Sequence, residues 1–174
     1  MSRRFLVWRG LDEWRAEAAS VELSPSGLLA SGTQIGRDYR VDYWLDATGD
    51  GFVTRRLIVH ATGPGGTREL DLDRARMGDE VLDCDLAFSP LTNAMPVLRH
   101  GLHQRPGQVD FEMAWVDVPS LEVHRSGQRY EHVRPGVVRY VDRGTFAGFT
   151  AEIEFDDDGL ATTYPGLAER AGSS

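Results

Sequence analysis

The hydrophobic rhythm of the chain has a period of two. In Arg40-Val41-Asp42-Tyr43-Trp44-Leu45-Asp46, the apolar residues Val41, Tyr43 and Leu45 alternate with polar neighbours, Trp44 excepted. Val109-Asp110-Phe111-Glu112-Met113-Ala114-Trp115 has bulky side chains at every odd position, and Phe149-Thr150-Ala151-Glu152-Ile153-Glu154-Phe155 repeats the pattern. Successive side chains on a strand point to opposite faces, so these runs predict strands with one face in a core and one in water. Residues 4–9, 14–23, 27–33, 52–61, 67–72, 121–125, 128–134, 137–141 and 160–164 are further strand candidates.

The punctuation between these runs predicts hairpins. Thr48-Gly49-Asp50-Gly51, Gly63-Pro64-Gly65-Gly66, Arg134-Pro135-Gly136 and Asp156-Asp157-Asp158-Gly159 each separate two strand-like stretches. Gly supplies positive φ and Asp supplies side-chain turn bonds. Ser24-Pro25-Ser26-Gly27 and Arg125-Ser126-Gly127 are weaker turns of the same kind. Helical spacing is scarce: residues 11–19 fit a short helix as well as the start of a strand, and 166–170 read as a terminal turn. With no repeat or linker visible, the expectation is a single all-β domain over 1–174 with minor helix.

About a dozen strands in one domain leave two solutions. The sheet either curves around a partly open interior, giving an open or incomplete β-barrel with a central cavity, or flattens into a fully packed sandwich. The length of 174 residues allows about 70% of the chain's surface to be buried, enough for a core without disulfides. Composition is that of a globular protein, 41% hydrophobic and 26% charged.

Charge narrows the partners. There are 27 acidic against 19 basic residues, a net −8, and every basic residue is Arg. An acidic balance spread evenly over both halves argues against nucleic acid, which requires a basic footprint, and against docking on anionic membranes. The absence of Lys excludes Schiff-base and P-loop lysine chemistry. The single Cys84 excludes an internal disulfide. The apolar run Phe5–Trp8 is too short for a signal-peptide core or a membrane span, so a cytoplasmic location without stable membrane insertion is expected.

One stretch breaks the strand rhythm. Asp83-Cys84-Asp85-Leu86-Ala87-Phe88-Ser89 leads into Pro90-Leu91-Thr92-Asn93-Ala94-Met95-Pro96-Val97-Leu98-Arg99. Two prolines bracket Thr92 and Asn93, whose side chains bond well to nearby backbone, and the stretch reads as a structured plug or crossover. Arg99, if it points inward, needs either Asp83 or Asp85 or an anionic ligand group. His100 and His103 lie in a Gly-containing segment and make no metal site by themselves. No nucleophile elbow, Walker-type loop or dinucleotide fingerprint is present, and no catalytic residue, metal or cofactor is assigned.

These residues carry a resemblance. The chain resembles the bacterial Putative glycolipid-binding family in Asp83-Cys84-Asp85-Leu86, in Ser89 through Arg99, and in Gln128-x-Tyr130, Arg139-Tyr140, Asp158-Gly159-Leu160 and Tyr164-Pro165. It departs from the family pattern around Arg74–Asp79, which lacks a Gly-Trp pair, and at Leu98, where a second Arg is common. The resemblance runs from about Trp8 to Arg170 and implies an incomplete β-barrel with a hydrophobic cavity. It implies a noncatalytic binding protein for a lipid, glycolipid or other amphipathic small molecule. The candidate ligand-binding residues are Thr92, Asn93, Arg99, Gln128 and Tyr130, with Asp83, Asp85, Trp115 and Tyr140. Two alternatives stay open: an enzyme acting on an amphipathic substrate around Asp83, Asp85 and Arg99, and a protein-interaction module with a filled core.

Overall fold

A computed structural model describes residues 2–172; the first residue and the last two of the expected domain lie outside the described residues. An N-terminal meander comprises β1 (Ser2–Gly10), β2 (Ala16–Ser24), β3 (Gly27–Ile35), β4 (Arg40–Ala47), β5 (Arg56–Gly63) and β6 (Gly66–Asp73). A short helix α1 (Arg74–Met77), strand β7 (Asp83–Leu86), a 3₁₀ turn (Pro90–Asn93) and helix α2 (Ala94–His100) follow. A second meander comprises β8 (Gln108–Val116), β9 (Val123–Arg134), β10 (Val137–Asp142), β11 (Thr150–Phe155), β12 (Ala161–Tyr164) and β13 (Ala168–Arg170).

All of these strands belong to one curved sheet that is not closed into a barrel. Its order is β6-β5-β4-β3-β2-β1-β13-β12-β11-β10-β9-β8-β7. The alternation read from the sequence decides which side is inward. Val41, Tyr43 and Leu45 on β4 and Ala151, Ile153 and Phe155 on β11 are buried, while their neighbours face out. Trp44, the exception in the pattern, lies on the outer face.

The two meanders join through β13, which pairs antiparallel with β1, setting Trp8 opposite Arg170 and Gly10 opposite Ala168. Arg170 ties the junction together by donating to Asp156 at 2.7 Å and to the carbonyls of Leu160 and Ala161 at 2.9 and 2.7 Å. The Trp8 indole N–H donates to the same Ala161 carbonyl at 2.9 Å. Of residues 166–170, expected as a terminal turn, 166 and 167 do turn, but Ala168–Arg170 are a strand, because their backbone groups meet the free edge of β1.

Three other expectations change. Residues 11–19 form no helix: Asp12 accepts from the Glu13 N–H at 2.9 Å in a tight turn, and β2 then alternates with Glu17, Ala19 and Val21 inward. Arg125-Ser126-Gly127 is no turn but lies within β9, where Ser126 faces Met113 of β8. The run 52–61 begins as a turn and becomes a strand only at Arg56.

The sheet is antiparallel except at β7–β8, which is parallel. Parallel neighbours need a long crossover, and the 3₁₀ turn and α2 supply it on the concave side. Pro90 opens the 3₁₀ turn and Pro96 lies in the first turn of α2, positions where proline's missing N–H has no intrahelical partner to lose. Leu91, Ala94 and Met95 pack into the larger hydrophobic core and Val97 into the smaller one, so the crossover bridges both.

A buried ion pair anchors this crossover. Arg99 bonds Asp83, and it donates to the carbonyls of Gly51 and Phe52 at 2.9 and 3.2 Å. The Asp83 side chain is 0% exposed and that of Arg99 11%. Breaking one partner of a buried pair leaves an uncompensated charge, which costs about 3–5 kcal/mol, whereas replacing both with apolar groups is close to neutral. Arg99→Leu is therefore expected to lower the urea midpoint sharply, and Asp83→Leu combined with Arg99→Leu to recover most of the loss. Equal stability of the single variant and the native protein in equilibrium unfolding would show that the pair does not anchor the crossover.

Candidate functional site

Where the crossover faces the second meander, the interior is left open as a cavity of about 300 Å³. One wall is the strap Ala87-Phe88-Ser89 and Asn93; the other comes from β8, β10, β12 and the loop after β10. Leu167, which packs on both hydrophobic cores, closes the space between them.

The walls are aromatic. Trp115 meets Phe146 edge-on with centroids 5.5 Å apart, and Tyr140 lies 6.1 Å from Phe149 and 6.2 Å from Tyr164. Phe146 and Phe149 are 55% and 47% exposed and stand at the mouth. Their loop is shaped by Asp142, whose Oδ1 accepts from the Gly144 and Phe146 N–H groups at 2.8 and 3.0 Å and whose Oδ2 accepts from the Tyr140 hydroxyl at 3.0 Å.

The floor is polar and fully bonded. Asp85 accepts from Thr92 Oγ1 at 3.0 Å and from Gln128 Nε2 at 2.7 Å. Asn93 Oδ1 accepts from the Tyr130 hydroxyl at 2.6 Å, and Asn93 Nδ2 donates to the Ser89 carbonyl at 3.3 Å. Burial pushes the Asp85 carboxyl up from 3.8 to about 6, against the hydrogen bonds from Gln128 and Thr92. Burial likewise raises the Tyr130, Tyr140 and Tyr164 phenols, which keeps them neutral donors.

The family model described as "Putative glycolipid-binding" matches residues 5–170. The chain belongs to the Putative glycolipid-binding family. A DUF1089 family protein from Pseudomonas aeruginosa, solved by crystallography, has a similar structure: TM-score 0.74 at 24% identity, over 94% of this chain and 95% of that one. At that identity the likeness speaks to the fold. No curated protein matches the chain significantly.

The segments that carry the likeness to the Putative glycolipid-binding family surround this cavity unevenly. Of the nine residues singled out in the sequence, Asp85, Asn93, Trp115 and Tyr140 line it. Thr92, Gln128 and Tyr130 stand one layer behind, each bonded to a lining side chain. Asp83 and Arg99 are engaged with each other and with the 51–52 carbonyls, so Asp83, Asp85 and Arg99 do not converge in one polar pocket. Sequence reasoning missed Asp117, Phe146 and Tyr164 as lining residues, and it took Phe149 for a core strand residue. The available signal was Arg143-Gly144-Thr145-Phe146-Ala147-Gly148-Phe149, two Phe in a Gly-punctuated turn where packing alone does not call for them.

Behind the strap sits a second buried acid. Glu17 on β2 accepts from the Tyr43 hydroxyl at 2.5 Å and from Ser89 Oγ at 2.7 Å. Tyr43 reaches it across Gly32, where a Cβ would stand 2.4 Å from the phenol oxygen. Gln34, also within reach of Glu17, donates Nε2 to the Ala87 carbonyl at 3.3 Å. Glu17 Oε2 and Gln34 Oε1 have no hydrogen-bond partner among the described residues. Burial pushes Glu17 from 4.5 up to about 7, against the bonds from Tyr43, Ser89 and Gln34.

The folded state holds a proton on Glu17 more tightly than the unfolded chain, so the Glu17 contribution is most favourable below 4.5 and declines as pH rises to about 7. The total loss is about 3 kcal/mol. Glu17→Gln keeps a neutral, bonded side chain and is expected to remove that decline. Subtracting its unfolding free energy from the native protein's between pH 5 and 8 should give a sloping difference; a flat one would mean that Glu17 does not bind its proton as described.

Proposed function

We propose that the protein is a noncatalytic, single-domain binder of an amphipathic small molecule of the lipid or glycolipid class, which it holds by one end in the aromatic cavity. Membership of the Putative glycolipid-binding family supports a binding role. The observation that carries the finer reading is the cavity itself: an aromatic wall around about 300 Å³, with a bonded polar floor built from Asp85 and Asn93. That combination suits a molecule with an apolar body and a few fixed polar groups. The volume is at the lower end for ligand sites, so the site takes one end of an amphiphile and the remainder passes out between Phe146 and Phe149. Each buried CH₂ contributes about 0.8 kcal/mol. Among the described residues, no helix is long and apolar enough to cross a membrane. A soluble complex formed in the cytoplasm, as the sequence suggests, is part of this reading.

The test is native mass spectrometry and organic extraction of freshly purified protein, followed by lipid titration read through tryptophan fluorescence. Saturable binding is expected, with Trp115→Ala and Tyr140→Ala each weakening it about tenfold. The absence of both co-purified lipid and saturable binding across lipid classes would overturn the proposal.

A further inference from the structure

The charge inside the cavity has one sign. Asp85, Asp117 and Asp142 line it, and no Arg or His is among the lining residues. Elsewhere acids are commonly paired with arginine: Asp110 meets both Arg129 and Arg143, and Asp156 meets Arg170. The three cavity acids form no ion pair among the described residues. Their bonds come from neutral donors only: Thr92 and Gln128 on Asp85, Ser120 on Asp117 at 2.6 Å, and Tyr140 with two backbone N–H groups on Asp142. Arg99, the cation an anionic head group would have to meet, is held by Asp83 and two carbonyls outside the cavity.

Lining the same space are the rings of Trp115, Tyr140, Phe146, Phe149 and Tyr164, whose neighbouring pairs Trp115–Phe146, Tyr140–Phe149 and Tyr140–Tyr164 are tilted by 56° to 80°. Rings at different tilts around one space offer a guest among them both edges and faces, and the faces carry negative potential. Aromatic faces and unpaired carboxylates in a partly desolvated space attract a weakly hydrated cation and repel an anion. The exposed edges of Phe146 and Phe149 leave a path for an attached chain.

We propose that the cavity selects amphiphiles with a positively charged head group, an alkylammonium, over neutral and anionic ones. This rests on the amphiphile-binding reading above and adds the charge of the bound end. Asp85 and Asp117 supply the counter-charge, and Trp115 and Tyr140 supply ring faces.

The test uses three amphiphiles with the same decyl chain, all below their micelle concentrations: decyltrimethylammonium, decyl glucoside and decyl phosphate. Calorimetric titration at neutral pH should give the ammonium at least about tenfold tighter binding than the glucoside, and the phosphate the weakest. Asp117→Asn should weaken the ammonium about fivefold, and clearly more than it weakens the glucoside. Removal of an exposed acid remote from the cavity, Glu154→Gln, should change neither. Equal or tighter binding of glucoside or phosphate by the native protein would overturn the charge selection while the amphiphile reading stands. The same conclusion would follow from ammonium binding that Asp117→Asn leaves unchanged. Failure of all three to bind would overturn the amphiphile reading as well.

Discussion

The pairing of a three-residue strand with the first strand of the chain is the constraint on which the rest of the structure depends. Without β13, the two meanders would be separate sheets, each with an unpaired edge next to the other. With it, Trp8 stands opposite Arg170 and a single sheet curves around one interior. Three residues supply few backbone bonds, so the junction is reinforced from its sides. Arg170 spends its guanidinium on Asp156 and two carbonyls, and Trp8 reaches past the junction to Ala161. The curvature this imposes leaves a concave side that the remaining chain has to fill. The crossover from β7 to β8 fills it incompletely, and the unfilled part is the cavity.

Much of this was legible from periodicity. Alternation identified strands over 40–46, 109–115 and most of 149–155, and the inward faces at Val41–Leu45 and Ala151–Phe155, because a period of two has one structural meaning when one face is buried; on β8 the opposite face is buried as well at Ala114 and Val116. The hairpin turns at 63–66, 134–136 and 156–159 were legible from glycine and aspartate chemistry. What periodicity does not contain is which distant edges meet. Nothing local in Ala168-Glu169-Arg170 distinguishes a strand from a turn; its partner β1 does. α2 was hidden for the opposite reason, since Pro90 and Pro96 look like helix breakers until their first-turn positions are known. In the candidate site, the floor was readable from Asp85, Thr92, Asn93, Gln128 and Tyr130, which are polar residues at inward strand or plug positions. The rim was not, because Phe146 and Phe149 are placed by a loop whose shape follows from Asp142 capping.

The interior holds several polar side chains. Glu17, Gln34, Asp85, Gln128 and Asp142 are all inward. Buried carboxyls cost free energy unless bonded or neutral; here Asp85 is bonded through both oxygens, and burial pushes Glu17 toward its neutral form. Both acids hold the segment from Ser89 to Thr92, Glu17 through Ser89 and Asp85 through Thr92, whose hydroxyl is also within hydrogen-bond distance of the Ser89 carbonyl. The cavity wall is therefore held by hydrogen bonds rather than by packing alone, and hydrogen bonds fix the position of Phe88 and Ser89 more narrowly than apolar contacts would.

The open sheet ends in two edges, and they are finished differently. β7 is covered on its free side by the 48–55 turn: Thr54 N–H donates to the Leu82 carbonyl at 3.0 Å, and Thr54 Oγ1 accepts from Cys84 N–H at 3.4 Å. On β6, Arg76 donates to the Asp71 carbonyl, Arg68, Glu69, Asp71 and Asp73 are exposed along the strand, and Arg56 of the neighbouring strand pairs with Asp71. Charge of both signs along an edge discourages edge-to-edge addition of another strand. The open sheet thus avoids presenting its edges as a template for aggregation: one is occupied by its own chain and the other is too charged to recruit a stranger.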